Sequence, residues 1–224
     1  MLLSIVVPAY NESENLKLLI PRLDKELSFL GREYEIIVVD NASADDTQTT
    51  LKTLSQNFAS VRGVLEPKKG FGNAILAGLN SAGGDVLGYI HADNQMEPSD
   101  LVRIYRKLTE DHLDVCKATR LDRHDGFTRW IVTKVYNFLF KIMFGVNIRD
   151  INGSPKLFTK EFFRRAGLDS RDWFIDPEIV IKVKRLGAKI GEFEIHTSSR
   201  PHGVSQVKFK TVIEFLKNMF YYWI

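Results

Sequence analysis

The chain holds a single cysteine, Cys116, so no internal disulfide can form and a reducing compartment is expected. No apolar run approaches the ~20 residues that a membrane-spanning helix needs, so the chain is not expected to cross a bilayer. Lying on one is still open to it. The apolar start, Met1 to Pro8, is too short and lacks a cationic residue, so no signal peptide is expected. Lysine and arginine form no dense block. They number 31 against 28 acids, the net charge is +3 and the sequence pI is about 8.9, so no nucleic-acid partner is expected. Repeats, low-complexity tracts and linkers are also missing, and residues 1–224 read as one domain. What the chain does have is a core-forming balance, 44% hydrophobic against 26% charged.

The first half alternates two patterns. "LLSIVVPAYN", "YEIIVVDNAS", "SVRGVLE" and "DVLGYIHAD" are short apolar runs that end in polar residues. Between them, "SENLKLLIPRLDKELSFL", "DDTQTTLKTLSQNF" and "GNAILAGLNSAG" have helical spacing, with Ser13 as a candidate N-cap. Continuous apolar strands separated by amphipathic helices predict an α/β fold with a mostly parallel sheet covered on both faces. Ligands of such sheets bind at the carboxyl ends of the strands. Those ends carry Tyr10, Asn11 and Glu12, then Asp40 and Asn41, then His91, Ala92 and Asp93. In the second half, "LVRIYRKLTED", "TRWIVTKVYNFLFKIMFG" and "EIVIKVKRLG" read as helices and "DVCKATR" and "KIGEFEIHTSS" as strands. A last helix places Phe209, Val212, Ile213, Leu216, Phe220 and Trp223 on one stripe.

Taken singly, each motif has a bland reading. "PAYNE" suits a strand-to-helix turn as well as a ligand turn. Asp45 and Asp46 favour a helix N-terminus, whereas Asp40, at a strand tip, can accept hydrogen bonds from a base or ribose. "KKGFGNAILAGL" puts Gly70 and Gly72 ahead of a helix, where the backbone can approach an anion, but it is neither a Walker loop nor a full dinucleotide fingerprint. "HADNQ" offers Asp93 and flanking donors to Mg²⁺ or Mn²⁺, and equally reads as a solvated turn. Arg120, Arg129 and Arg200 can pair with phosphate, although arginine is more often a surface charge.

Their order is specific where each is weak. "PAYNE", "VVDNAS", "KKGFGNAI", "HADNQ", "RDINGSPKLF" and "RPHGVS" follow one another as in the family 2 glycosyltransferases with a GT-A fold, which the chain resembles from Ser4 to about Lys208. It looks most like the branch of dolichyl-phosphate mannose synthase and the bacterial polyprenyl-phosphate sugar transferases. The resemblance implies a Rossmann-like α/β/α sandwich and a GDP- or UDP-sugar donor, GDP-mannose among them. It places Pro8, Tyr10, Glu12, Asp40, Gly70 and Gly72 around the nucleotide. Asp93 and Gln95 match the metal edge, with Mg²⁺ or Mn²⁺ as cofactor, and Arg200 and Ser205 the loop that closes over the diphosphate. Arg120 and Arg129 match arginines that hold an acceptor phosphate, and Asp150 an acid assigned as base. Asp176 is a second candidate base.

Two positions depart from the family. His91 stands where the first metal-edge Asp is usual; imidazole can ligate and suits Mn²⁺ better than Mg²⁺, or can bond a phosphate directly. Gln206 stands where a lysine often follows the loop serine. The implied chemistry is a single inverting displacement onto a polyprenyl phosphate or similar lipid-linked acceptor. A short span between Arg120 and Arg129 keeps transfer to a glycan hydroxyl open, and His91 keeps open a nucleotide-sugar-binding protein without turnover. The segments 128–145 and 207–224 are rich in Phe, Tyr, Trp and Met with interspersed lysine. They are expected to lie in a bilayer interface, which places the protein in the cytoplasm at the inner face of the membrane. Core stripes of the same composition are commoner in general.

Overall fold

The computed structural model describes residues 2–121, 127–199, 201–202 and 209–223, with side chains described outside 127–134, 209–214 and 216. The continuous apolar runs become parallel strands covered on both faces: β1 (Leu3–Ala9), β2 (Tyr34–Asp40), β3 (Val61–Leu65) and β4 (Val86–Tyr89). Helices α1 (Ser13–Ser28), α2 (Thr47–Asn57) and α3 (Phe71–Ser81) link them. Ser13 does not cap α1: the cap position falls to Glu12, and the Ser13 hydroxyl pairs with Thr50 Oγ1 at 2.8 Å instead.

Beyond β4 the order is α4 (Pro98–Glu110), β5 (Val115–Arg120), α5 (Phe127–Phe144), β6 (Lys156–Thr159), α6 (Lys160–Ala166), α7 (Ile175–Leu186), β7 (Ile190–Ile195) and α8 (Phe209–Trp223). The strands form one 7-stranded sheet in the order β3-β2-β1-β4-β6-β5-β7, with β6 antiparallel to both neighbours. The sequence pattern does not predict β6 or α6. At four residues, "KLFT" is too short to show a period, and Lys156 at its head disguises a buried position.

Helices α1 and α4 bury their apolar stripes on one face of the sheet, and α3, α6 and α7 on the other. A third cluster lies between α5, α7 and α8, where Phe140, Phe174 and Met219 are sealed from solvent. Helix α5 is therefore two-faced. Phe140 points into the core, while Val135, Phe138, Leu139 and Ile142, at spacings of three and four, stay exposed. Helix α8 likewise buries Met219 and exposes Phe220, Tyr221 and Trp223. Among the described residues, no helix is long and apolar enough to cross a membrane.

Because β6 runs opposite to its neighbours, the turn that precedes it lies at the same sheet edge as the carboxyl ends of β1, β2, β4 and β5. Topology alone thus gathers residues 10–12, 40–41, 91–95, 120 and 150–155 at one edge.

Candidate active site

One side of this edge is built by β1, β2 and the turn into α3. Pro8 sits in a central strand without disrupting it, because the pairing of β4 with β1 ends at Val6. Asp40 is buried, and its Oδ1 accepts from the backbone N–H of Ser43 at 3.1 Å, which shapes the turn after β2. Tyr10 receives Lys69 Nζ at 2.7 Å, with the ammonium 4.4 Å from the ring centroid. The Glu12 carboxylate accepts from Asn15 Nδ2.

Asn41, placed by the sequence at the end of β2 but given no role there, organises the glycine turn. Its Nδ2 donates to the carbonyls of Glu66 (3.1 Å) and Lys68 (2.7 Å), and its Oδ1 accepts from Gly70 N–H at 2.8 Å. Gly70 has φ +149°, and a Cβ there would overlap the Arg171 carbonyl; at Gly72 it would overlap that of Ser170. These glycines let the turn seat against the backbone ahead of α7, and Asn73 N–H donates to Arg171 O at 3.1 Å. Phe71, between them, stacks on Trp173 with centroids 4.2 Å apart.

The candidate metal edge follows β4. Asp93 is buried, and its Oδ1 accepts from Gln95 N–H at 3.2 Å across a turn in which Asn94 has φ +55°. His91 is half-buried, its ring edge-on to Phe71 at 5.0 Å, with Nε2 closed to solvent and unpartnered. Burial pushes its pKa below the ordinary histidine value, so the imidazole is neutral near pH 7. Gln95 Nε2 donates to Ser198 O at 3.4 Å, while Ser198 N–H donates to Gln95 O at 2.9 Å. Asn15 Nδ2 reaches His202 O at 3.3 Å, so the chain on both sides of residue 200 is tied to this edge. Arg200 and Ser205 themselves lie outside the described residues. The described residues contain no cluster of three His, Cys, Asp or Glu that would cage a metal. One carboxylate, a neutral imidazole and an amide oxygen would fit a divalent ion only with further oxygen ligands from elsewhere.

On the far side, Arg120 and Asp150 meet as a bidentate pair, Nε to Oδ2 at 2.7 Å and Nη2 to Oδ1 at 3.0 Å. The two residues assigned separately to phosphate binding and base catalysis are thus partners of each other. Arg129 lies on α5, and its side chain is outside the described residues. Asp176, at the start of α7, is buried and accepts from both Tyr89 Oη and Lys156 Nζ. Tyr89, Lys156, Lys117 and Glu192 lie directly across β4, β6, β5 and β7 from one another, a polar row through the sheet. Lys117 Nζ donates to Ala118 O at 2.8 Å and pairs with Glu192 at 3.5 Å. No sequence motif announces this row; the signal is a lysine inside each of two otherwise apolar strands.

Burial pushes the Lys117 ammonium down from 10.5 to about 8. Between those values the unfolded chain holds more protons than the native one, so this group makes stability rise with pH. Below about 8 the burial cost of the ammonium is felt in full. Lys117→Met is therefore expected to be more stable than the unaltered chain at neutral pH. Its advantage should shrink as pH rises from about 8 toward 10.5, as read from urea unfolding at stepped pH.

A family model described as Glycosyl transferase family 2 matches residues 4–167. The undecaprenyl-phosphate 4-deoxy-4-formamido-L-arabinose transferase of Enterobacter sp. (strain 638) is 28% identical over 219 residues, which cover 96% of this chain and 65% of that protein. The chain thus spans just under two thirds of that curated relative. The crystal structure of glucosyl-3-phosphoglycerate synthase from Mycobacterium tuberculosis with Mn²⁺, UDP-glucose and phosphoglyceric acid superposes with a TM-score of 0.74. The match has 17% identity and covers 98% of this chain and 77% of that one. S. aureus TarS 1–349 matches with a TM-score of 0.59 at 19% identity, over 86% of this chain and 58% of that one.

Proposed function

Because the chain belongs to glycosyl transferase family 2, we propose that it transfers a sugar from a nucleotide-sugar donor to a lipid-linked phosphate. The observation that carries the choice of acceptor is the state of the two candidate bases. Asp150 is clamped bidentately by Arg120, and Asp176 is held by Lys156 and Tyr89. Both carboxylates are thus already engaged by a cation, whereas a sugar hydroxyl needs a carboxylate oxygen placed to take its proton. A phosphate monoester is ionised near neutral pH and attacks without a base. The undecaprenyl-phosphate acceptor in the name of the Enterobacter relative supports the same choice.

In this reading the donor nucleotide lies along Tyr10, Glu12, Asp40 and the Gly70–Gly72 turn. Asp93, with Gln95 and His91, would hold a divalent cation, which when bound supplies positive charge against the departing diphosphate. Arg200 and Ser205 would close over that diphosphate. Arg120 would contact the incoming phosphate while keeping its pair with Asp150, and Arg129 would be the second phosphate contact. Acceptor classes are separated by incubating the protein with labelled UDP-glucose or GDP-mannose, Mn²⁺, and either polyprenyl phosphate or a free glycan. Label entering the organic phase only with the lipid phosphate is the expected result. Label entering the glycan would assign the hydroxyl acceptor and sink this reading.

The exposed apolar faces of α5 and α8 support peripheral attachment to a bilayer. Phe138 is 63%, Ile142 64% and Trp223 58% exposed, on segments whose charged residues are mostly lysine and arginine. The protein is expected to sediment with anionic vesicles, and the combined change Phe138→Ser, Ile142→Ser and Trp223→Ser to leave most of it in the supernatant. Equal sedimentation of both forms would remove these faces from the account.

A further inference from the structure

Glu12 occupies the cap position of α1, yet its side chain makes no capping bond to the first turn of that helix. A side chain at a cap ordinarily accepts from a backbone N–H of that turn. The Glu12 carboxylate accepts instead from the side-chain Nδ2 of Asn15. The same Nδ2 reaches His202 O at 3.3 Å. The Asn15 carbonyl in turn accepts from Asn94 Nδ2 at 2.9 Å. Asn15 is 2% and Asn94 8% exposed, and at such depth a hydrogen bond is stronger than in water.

One residue thus joins three segments far apart in sequence: the turn after β1, the turn after β4 and the chain after β7. In the donor reading these segments carry different parts of one site. Glu12 lies along the nucleotide, and Asp93, next to Asn94, would hold the cation. His202 stands two residues beyond Arg200. Asn94 is itself a costly choice of residue. It has φ +55°, and its Oδ1 is buried without a partner. Glycine would avoid both costs. What asparagine supplies at that position is the bond to Asn15.

We propose that Asn15 is a positioning residue that holds the nucleotide edge and the candidate cation edge in fixed relation, and so makes nucleotide binding depend on the cation. The proposal rests on the donor reading above. A cation offsets the charge of a diphosphate, so each strengthens the binding of the other. That mutual gain is largest when both edges are already placed, because ordering them on binding lowers affinity. Asn15 acts here through Glu12, Asn94 and His202.

Two substitutions in the full chain cut the bridge on opposite sides. Asn15→Ala removes the bonds to Glu12 and His202 but leaves the backbone carbonyl that Asn94 uses, and alanine suits a helix. Asn94→Gly removes the other limb, at a φ that glycine accepts. Calorimetry measures UDP and GDP affinity, with Mn²⁺ and with chelator, for both variants and for the double variant. The factor by which Mn²⁺ tightens the preferred nucleotide should fall about tenfold in each single variant, the effect of one lost hydrogen bond. In the double variant it should fall no further, because either cut opens the same bridge. An unchanged Mn²⁺ factor, with lower melting temperatures alone, would reduce Asn15 to a packing role and overturn the proposal. Losses that multiply in the double variant would overturn it too, since each change would then act on its own edge. If the unaltered protein bound neither nucleotide, or bound one equally with and without Mn²⁺, the donor reading itself would fall, and the bridge with it.

Discussion

Asp93→Ala is expected to lower the rate of sugar transfer by roughly 10²–10³-fold, the size of effect seen when one preorganised electrostatic contact to a transition state is removed. Asp93 is the one carboxylate among His91, Asp93 and Gln95, and its turn fixes it before any ligand arrives, through the 3.2 Å bond from Gln95 N–H. Asp93→Glu keeps the charge but lengthens the side chain, so it should recover only part of the rate. The loss should appear in kcat, because the charge on the departing diphosphate grows toward the transition state. Turnover of Asp93→Ala within twofold of the unaltered protein, at saturating Mn²⁺, would remove Asp93 from the metal edge.

The largest stability effect is expected at Lys156. Its ammonium is fully buried and bonded to Asp176, whose carboxylate also takes the Tyr89 hydroxyl. Lys156→Met would strand a buried carboxylate, a loss of about 3–5 kcal/mol. For a chain of this size that corresponds to a drop in Tm of roughly 10 °C. The double variant Lys156→Met, Asp176→Leu removes both charges and should regain most of the loss, because a buried ion pair is often no better than apolar packing. Tyr89 then loses its acceptor, so recovery should be incomplete. Chemical denaturation of the three proteins provides the measurement. If the double variant were no more stable than the single, the pair would not be the unit that matters.

The strands β1, β2 and β4 are legible in sequence because each is a continuous apolar run ended by polar residues, and topology carries those ends to one edge. The same logic singles out Asp40, His91 and Asp93. It fails where position depends on contacts distant in sequence. Strand β6 is antiparallel, short and headed by a lysine, and only its place between β4 and β5 makes Lys156 internal. Arg120 and Asp150 are read as two separate site residues until the fold brings them within 2.7 Å. Asn41 is placed at the edge by its sequence position, but its role, holding the glycine turn, is not legible there. The apolar width of α5 is legible, but its division into a core face at Phe140 and an exposed face at Phe138 and Ile142 requires the neighbouring helices.

The central claim is that the carboxyl edge of this sheet is a nucleotide-diphosphate site completed by a divalent cation at Asp93. Calorimetric titration of the unaltered protein with UDP and with GDP, each with Mn²⁺ and with chelator, tests it most directly. The account predicts that one of the two nucleotides binds with Mn²⁺ and that chelator weakens its binding at least tenfold, as expected of a cation that Asp93 would hold and that offsets the diphosphate charge. Equal affinity with and without Mn²⁺, or no binding of either nucleotide, would contradict it.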